Sequence, residues 1–228
     1  MSNEVTIPVP ASGAAPDAAQ ITLNGIVNGG GEAGSAIICH GSGRGMDATL
    51  LVKTADRLAA LGFMTLRFNF AYLGKRPAPS AGGKAELPEL LAAMDFLAGY
   101  CPNPTPPILI GKSFGARVCA NAAVAATSPD GRPVGACVFY GMPLQGMSKS
   151  AKPRDWSHLV RITAPMLFIT GNRDTLCPLD QLDTVLATLT APATSEIVPG
   201  DHSYKPKSEH AAVDHCVQWV VKYSTTRV

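Results

Sequence analysis

Gly111-Lys112-Ser113-Phe114-Gly115 follows the apolar run Pro107-Ile108-Leu109-Ile110 and precedes a segment rich in alanine. A G-x-S-x-G pattern between a strand and a helix describes a turn so tight that the serine takes a strained backbone conformation. Glycines two positions either side then let helix and strand approach. Such a turn holds the Ser113 hydroxyl clear of the backbone, close to the free N–H groups that open the next helix. Ser113 is therefore a candidate nucleophile. The neighbouring Gly111-Lys112-Ser113 is not the end of a phosphate-binding G-x-x-x-x-G-K-S loop, because Pro106 stands where the first glycine belongs.

A serine hydroxyl is a weak nucleophile at neutral pH and needs an adjacent base, itself oriented by a carboxylate. Of the five histidines, His202 follows the last strand, which ends in Glu196-Ile197-Val198 where Pro199 and Gly200 turn the chain; His158, His210 and His215 read as solvated imidazoles on helices or surface segments. His202 is the candidate base, with an ordinary loop histidine as the alternative. Asp174 ends Gly171-Asn172-Arg173-Asp174 after the run Met166-Leu167-Phe168-Ile169-Thr170. It is the candidate orienting acid, with a turn or helix-capping aspartate as its plain alternative. Asp201 also neighbours the base, but adjacent residues of an extended segment point to opposite sides.

His40-Gly41-Ser42-Gly43-Arg44-Gly45-Met46-Asp47 follows Ile37-Ile38-Cys39. A dinucleotide fingerprint G-x-G-x-x-G would need glycine at Met46, and the acidic residue expected at a second strand end is missing. A glycine-rich backbone here can instead present the Ser42 N–H opposite the Phe114 N–H, so that two donors meet on an oxyanion. His40 reads as a loop anchor.

The elements that must position these residues alternate along the chain. Val5 to Val9 and Ile21 to Val27 read as an antiparallel pair. Ser35 to Cys39, Phe63 to Phe68, Pro107 to Ile110, Ala136 to Tyr140, Pro165 to Thr170 and Ser195 to Val198 read as six parallel strands. Between and after them, Thr49 to Leu61, Glu86 to Tyr100, Phe114 to Ala126, Leu179 to Leu189 and Glu209 to Tyr223 carry helical spacing. This alternation specifies an α/β fold: an eight-stranded, mostly parallel sheet with helices on both faces. Its active site belongs beyond the carboxyl ends of the strands. No linker or repeat divides the 228 residues, so one domain over 1–228 is expected.

Composition excludes other classes. Nineteen Lys and Arg against seventeen Asp and Glu leave a net charge of +2, too little for a strongly basic nucleic-acid or membrane binder. The 46% of apolar residues and 16% of charged ones exclude a disordered chain. Six cysteines without CxxC or Cys/His spacing read as free thiols, with no metal expected. With no secretory leader and no long apolar span, a cytoplasmic protein is expected.

The four motifs together resemble the α/β-hydrolases. Among these they are similar to the small, cap-less serine esterases related to dienelactone hydrolase. His40-Gly41-Ser42-Gly43 with Met46-Asp47, and Gly200-Asp201-His202-Ser203, further resemble the testis-expressed-30-like group, which includes a histone-acetyltransferase complex subunit. The order Ser113, Asp174, His202 is that of the α/β-hydrolases. The resemblance implies acyl transfer through a Ser113–His202–Asp174 triad, without cofactor, on a small-molecule ester. Dienelactone hydrolases proper carry cysteine as nucleophile, whereas Ser113 stands here. A binding or scaffold protein on the same fold, and a thioesterase or peptidase using the same residues, are the competing readings. The span between Tyr140 and Pro165 is too short for a lid of several helices, so an open site is expected. Phe70, Tyr72 and Leu73, with Met142, Pro143, Leu144 and Met147, are placed at its apolar rim, or else packed on the core. Lys75, Arg76, Lys149, Lys152 and Arg154 are read as a solvated basic surface or as a rim for anionic substrates.

Overall fold

The computed structural model describes residues 2–10, 21–75, 78–146 and 154–225. In chain order the elements are β1 (Ser2–Val9), β2 (Ile21–Asn28), β3 (Gly34–Cys39), α1 (Thr49–Ala60), β4 (Phe63–Phe68), α2 (Tyr72–Lys75) and α3 (Leu87–Tyr100). Then come β5 (Ile108–Lys112), α4 (Phe114–Ala125), β6 (Ala136–Tyr140), β7 (Met166–Gly171), α5 (Leu179–Thr188), β8 (Ala193–Val198) and α6 (Pro206–Thr225). The strands form one eight-stranded sheet in the order β1-β2-β4-β3-β5-β6-β7-β8. β2 pairs antiparallel with both its neighbours, and β3 to β8 pair in parallel.

The inner strands are buried on both faces, which is why their sequences read as continuous apolar runs rather than alternating ones. Ile37, Leu109, Phe139 and Phe168 face α3, α4 and α5 in one core layer. Their neighbours Ile38, Ile110, Val138 and Ile169 face α1 and α6 in the other. The six cysteines are buried and free of disulfides. No helix of the described residues is long and apolar enough to cross a membrane.

The connection after β4 holds α2 and a 3₁₀ turn at Ala81–Gly83 where the sequence suggested only a loop. α6 opens three residues earlier than expected, at Pro206, a residue suited to a first helical turn because its missing N–H would have no partner there. β5 runs on through Gly111 and Lys112, which pair with Phe139 and Tyr140 of β6. Between β6 and β7 the described residues carry a single 3₁₀ turn, Ser157–Arg161, and no packed helical lid. The chain leaves β3 toward β4 on one side and later enters β5 on the other. The crevice over the carboxyl ends of β3 and β5 is thus the switch point at which open sheets bind ligands.

Candidate active site

Ser113 sits between β5 and α4 with φ 54° and ψ −113°, a left-handed conformation that costs a non-glycine residue about 1–3 kcal/mol. Its surroundings enforce it. A Cβ on Gly111 would meet the Ala116 Cα at 2.5 Å, and one on Gly115 would meet the Cys39 carbonyl oxygen at 2.5 Å. Only glycine lets α4 lie this close to β3 and β5. The Ser113 N–H donates to the Tyr140 carbonyl at 2.9 Å, which fixes the turn against β6.

His202 reaches Ser113 from the far side. After β8 the Gly200 N–H donates to Asn172 Oδ1 at 3.0 Å, and the Arg173 N–H donates to the Gly200 carbonyl at 2.8 Å. These bonds lace the loop to the end of β7. His202 Nε2 lies 2.8 Å from Ser113 Oγ, and Nδ1 lies 2.8 Å from Asp174 Oδ2. The Asp174 side chain is fully buried while a quarter of the His202 side chain reaches solvent. Oδ1 of Asp174 accepts the Leu176 and Cys177 N–H groups at 2.9 and 3.2 Å, so the aspartate also shapes its own turn. Burial alone would raise the Asp174 pKa. The hydrogen bond and charge of His202, the Leu176 N–H and Lys112 outweigh it and hold the carboxyl below its usual range. Asp201 instead accepts the Ser203 N–H at 2.9 Å.

The His40–Gly45 loop is anchored from beneath. His40 Nε2 accepts the Phe70 N–H at 3.0 Å, so Nδ1 carries the proton and donates to the Gly41 carbonyl at 2.7 Å. The Tyr72 hydroxyl donates to the same carbonyl at 3.0 Å. Burial holds the His40 pKa below the ordinary imidazole value, with the Gly41 bond opposing, so the ring is neutral. With the Gly41 carbonyl turned inward, the trans peptide aims the Ser42 N–H the opposite way. The Phe114 N–H, first of α4, has no intrahelical acceptor.

A cavity of about 260 Å³ opens beside Ser113, walled by Ala48, Leu50 and Leu51 of the α1 end, by Leu176, and by Ser42 and Lys112. The residues expected at an apolar rim lie elsewhere. Phe70, Tyr72, Met142, Pro143 and Leu144 are buried in the core, and Leu73 is exposed; none of them lines this cavity. Phe70 and Tyr72 are drawn inward because their rings pack around His40 and Phe114, with centroids 5.0–6.2 Å apart. Met147, Arg76, Lys149, Lys152 and the Lys75 side chain lie outside the described residues. Arg154 lines a separate cavity with Trp156. His210 and His215 face Asp214 and Glu196, away from Ser113.

One site residue was not singled out by the sequence. Lys112 Nζ stands 3.1 Å from His202 Nε2 and 5.1 Å from the centroid of the Tyr204 ring. Its only signal was a lysine inside the G-x-S-x-G pattern.

A nucleophile-elbow turn at a sheet switch point, with histidine and aspartate delivered from the next strand ends, defines the α/β-hydrolase class. The sequence pattern of the alpha/beta hydrolase domain family matches residues 32–225, and the chain belongs to that family. An uncharacterized protein of Mycobacterium tuberculosis is 27% identical in an alignment 182 residues long that covers 75% of this chain and 63% of that relative. The match therefore spans less than two thirds of the relative's length. A serine hydrolase without a lid from Xanthomonas campestris superposes with a TM-score of 0.72 at 22% identity, covering 97% of this chain and 94% of that one. An esterase from Pyrococcus furiosus superposes with a TM-score of 0.74 at 18% identity, covering 99% and 92%. At these identities the likeness is one of fold.

Proposed function

We propose that this chain is a serine hydrolase, carboxylesterase-like, that cleaves small acyl esters through an acyl-enzyme on Ser113. The observation that carries the reading is the pair of 2.8 Å contacts through which His202 links the strained Ser113 to the buried Asp174. In the first step Oγ attacks the ester carbonyl carbon and its proton passes to His202 Nε2. Asp174 accepts from Nδ1–H and stabilises the imidazolium. The N–H groups of Ser42 and Phe114 donate to the oxyanion. As the tetrahedral intermediate collapses, the carbon–oxygen bond to the leaving group breaks and His202 gives its proton to the departing alkoxide. Water then attacks the acyl-enzyme, losing a proton to His202, and the acid leaves as Ser113 recovers its proton.

The cavity beside Ser113 supports a short acyl chain, since its volume of about 260 Å³ is small and Ala48, Leu50, Leu51 and Leu176 offer aliphatic walls. The test is hydrolysis of p-nitrophenyl esters of increasing acyl length. Acetate and butyrate should turn over faster than octanoate, and Ser113→Ala should abolish turnover of all of them. Equal turnover by Ser113→Ala would overturn the reading.

A further inference from the structure

Lys112 brings a second donor to a nitrogen that has room for one. With Nδ1–H donating to Asp174, the neutral His202 ring has a single lone pair, on Nε2. Two groups reach for it: Ser113 Oγ at 2.8 Å and Lys112 Nζ at 3.1 Å. The hydroxyl must hold that lone pair for proton transfer to begin. An ammonium there competes for it, and repels the imidazolium that forms once the proton has moved. A neutral amine is a far weaker donor and carries no charge to repel.

Resting on the serine-hydrolase reading above, we propose that Lys112 is a positioning residue that governs the base. Its ammonium occupies His202 Nε2 and holds Ser113 unactivated, and loss of one proton to solvent releases Nε2 to the serine.

The surroundings suit such a role. Lys112 faces Asp174 and Cys177 from the β7–α5 connection, and Asp201, His202 and Tyr204 from the β8–α6 connection; Arg44 and Glu209 share its cavity. Glu209 is engaged by Lys53 at 2.7 Å, and Asp201 by Ser203. Among the described residues the Lys112 ammonium forms no ion pair. Burial pushes its pKa down to about 8, against smaller raising effects of Asp174, Cys177 and Asp201. Burial likewise pushes the Cys177 thiol up to about 12, which leaves it neutral. The Tyr204 phenol is also held protonated by burial.

The test is the second-order rate of fluorophosphonate labelling of Ser113, measured from pH 6 to pH 10 on wild type, Lys112→Met and Lys112→Arg. Near-UV circular dichroism confirms folding of each. Between pH 7 and pH 9 the wild-type rate should rise about tenfold, the interval over which a group titrating near 8 goes from mostly charged to mostly neutral. Lys112→Met should label fast already at pH 7 and change little over that interval. Lys112→Arg, charged throughout, should stay slow. A rise in Lys112→Met as steep as in wild type would overturn the role of Lys112 while leaving Ser113 as nucleophile. No labelling of wild type at any pH would overturn the serine-hydrolase reading and this proposal together.

Discussion

The Tyr204 hydroxyl donates to the Ile169 carbonyl at 2.6 Å, tying the loop that carries His202 to the strand that leads to Asp174. Tyr204 is buried and holds φ 51°, so this bond helps to keep an unfavourable backbone in place two residues from the base. In Tyr204→Phe the Ile169 carbonyl keeps the Gly141 N–H at 2.8 Å, so it is not left without a donor. The melting temperature should fall by about 3 °C, equivalent to about 1 kcal/mol. The kcat for ester hydrolysis should fall while KM changes little. An unchanged kcat would show that the loop holds His202 without this tie.

Tyr72→Phe removes one of two donors to the Gly41 carbonyl and leaves the ring packed against Phe70 and Phe114. The peptide that carries the Ser42 N–H is then held by His40 alone. Ester kcat should drop about tenfold, less than the loss from deleting an oxyanion donor outright. Steady-state kinetics of the purified variant would read this directly, and an unaltered kcat would argue against Ser42 as a donor.

Gly115→Ala forces a methyl to within 2.5 Å of the Cys39 carbonyl oxygen, a backbone atom with no freedom to yield. Urea denaturation should show a loss of about 3 kcal/mol, and labelling of Ser113 should slow as α4 shifts away from β3. Gly99→Ala, whose new methyl meets nothing within 4 Å, is the matched control and should be neutral or slightly stabilising.

Lys112 also has a signature in stability. Its folded pKa, about 8, lies below the ordinary lysine value of 10.5, so the unfolded chain binds more protons between those values and wild-type stability rises with pH across that window. Below pH 8 the full penalty of the buried ammonium applies. Lys112→Met should therefore be more stable than wild type at pH 7 by roughly 3 kcal/mol, with the gap closing toward pH 10.5. Urea midpoints at pH 7 and pH 10 test this, and a pH-independent gap would contradict it.

The core strands were legible because burial on both faces leaves runs such as Ala36-Ile37-Ile38-Cys39 and Ala136-Cys137-Val138-Phe139-Tyr140 with no polar alternation to misread. Ser113 and Asp174 were legible because each follows such a run, and His202 because Pro199 and Gly200 turn the chain after the half-exposed edge strand β8; topology alone brings strand ends to one edge. The lining of the cavity beside Ser113 was not. Phe70 and Tyr72 stand after a strand end, as a rim residue would. A four-residue helix and a buried imidazole turn them into the core, and nothing local in the sequence announces either. Lys112 was hidden for a related reason. Its neighbour across the site, His202, is 90 residues away, and the distance between the two side chains depends on the twist of the whole sheet.

The central claim is that Ser113 is an activated nucleophile, and intact-protein mass spectrometry after fluorophosphonate treatment at pH 9 tests it without knowledge of the natural substrate. Wild type should gain the mass of a single phosphonyl group, and folded Ser113→Ala should gain none. An unmodified wild type, or the same adduct on Ser113→Ala, would contradict it.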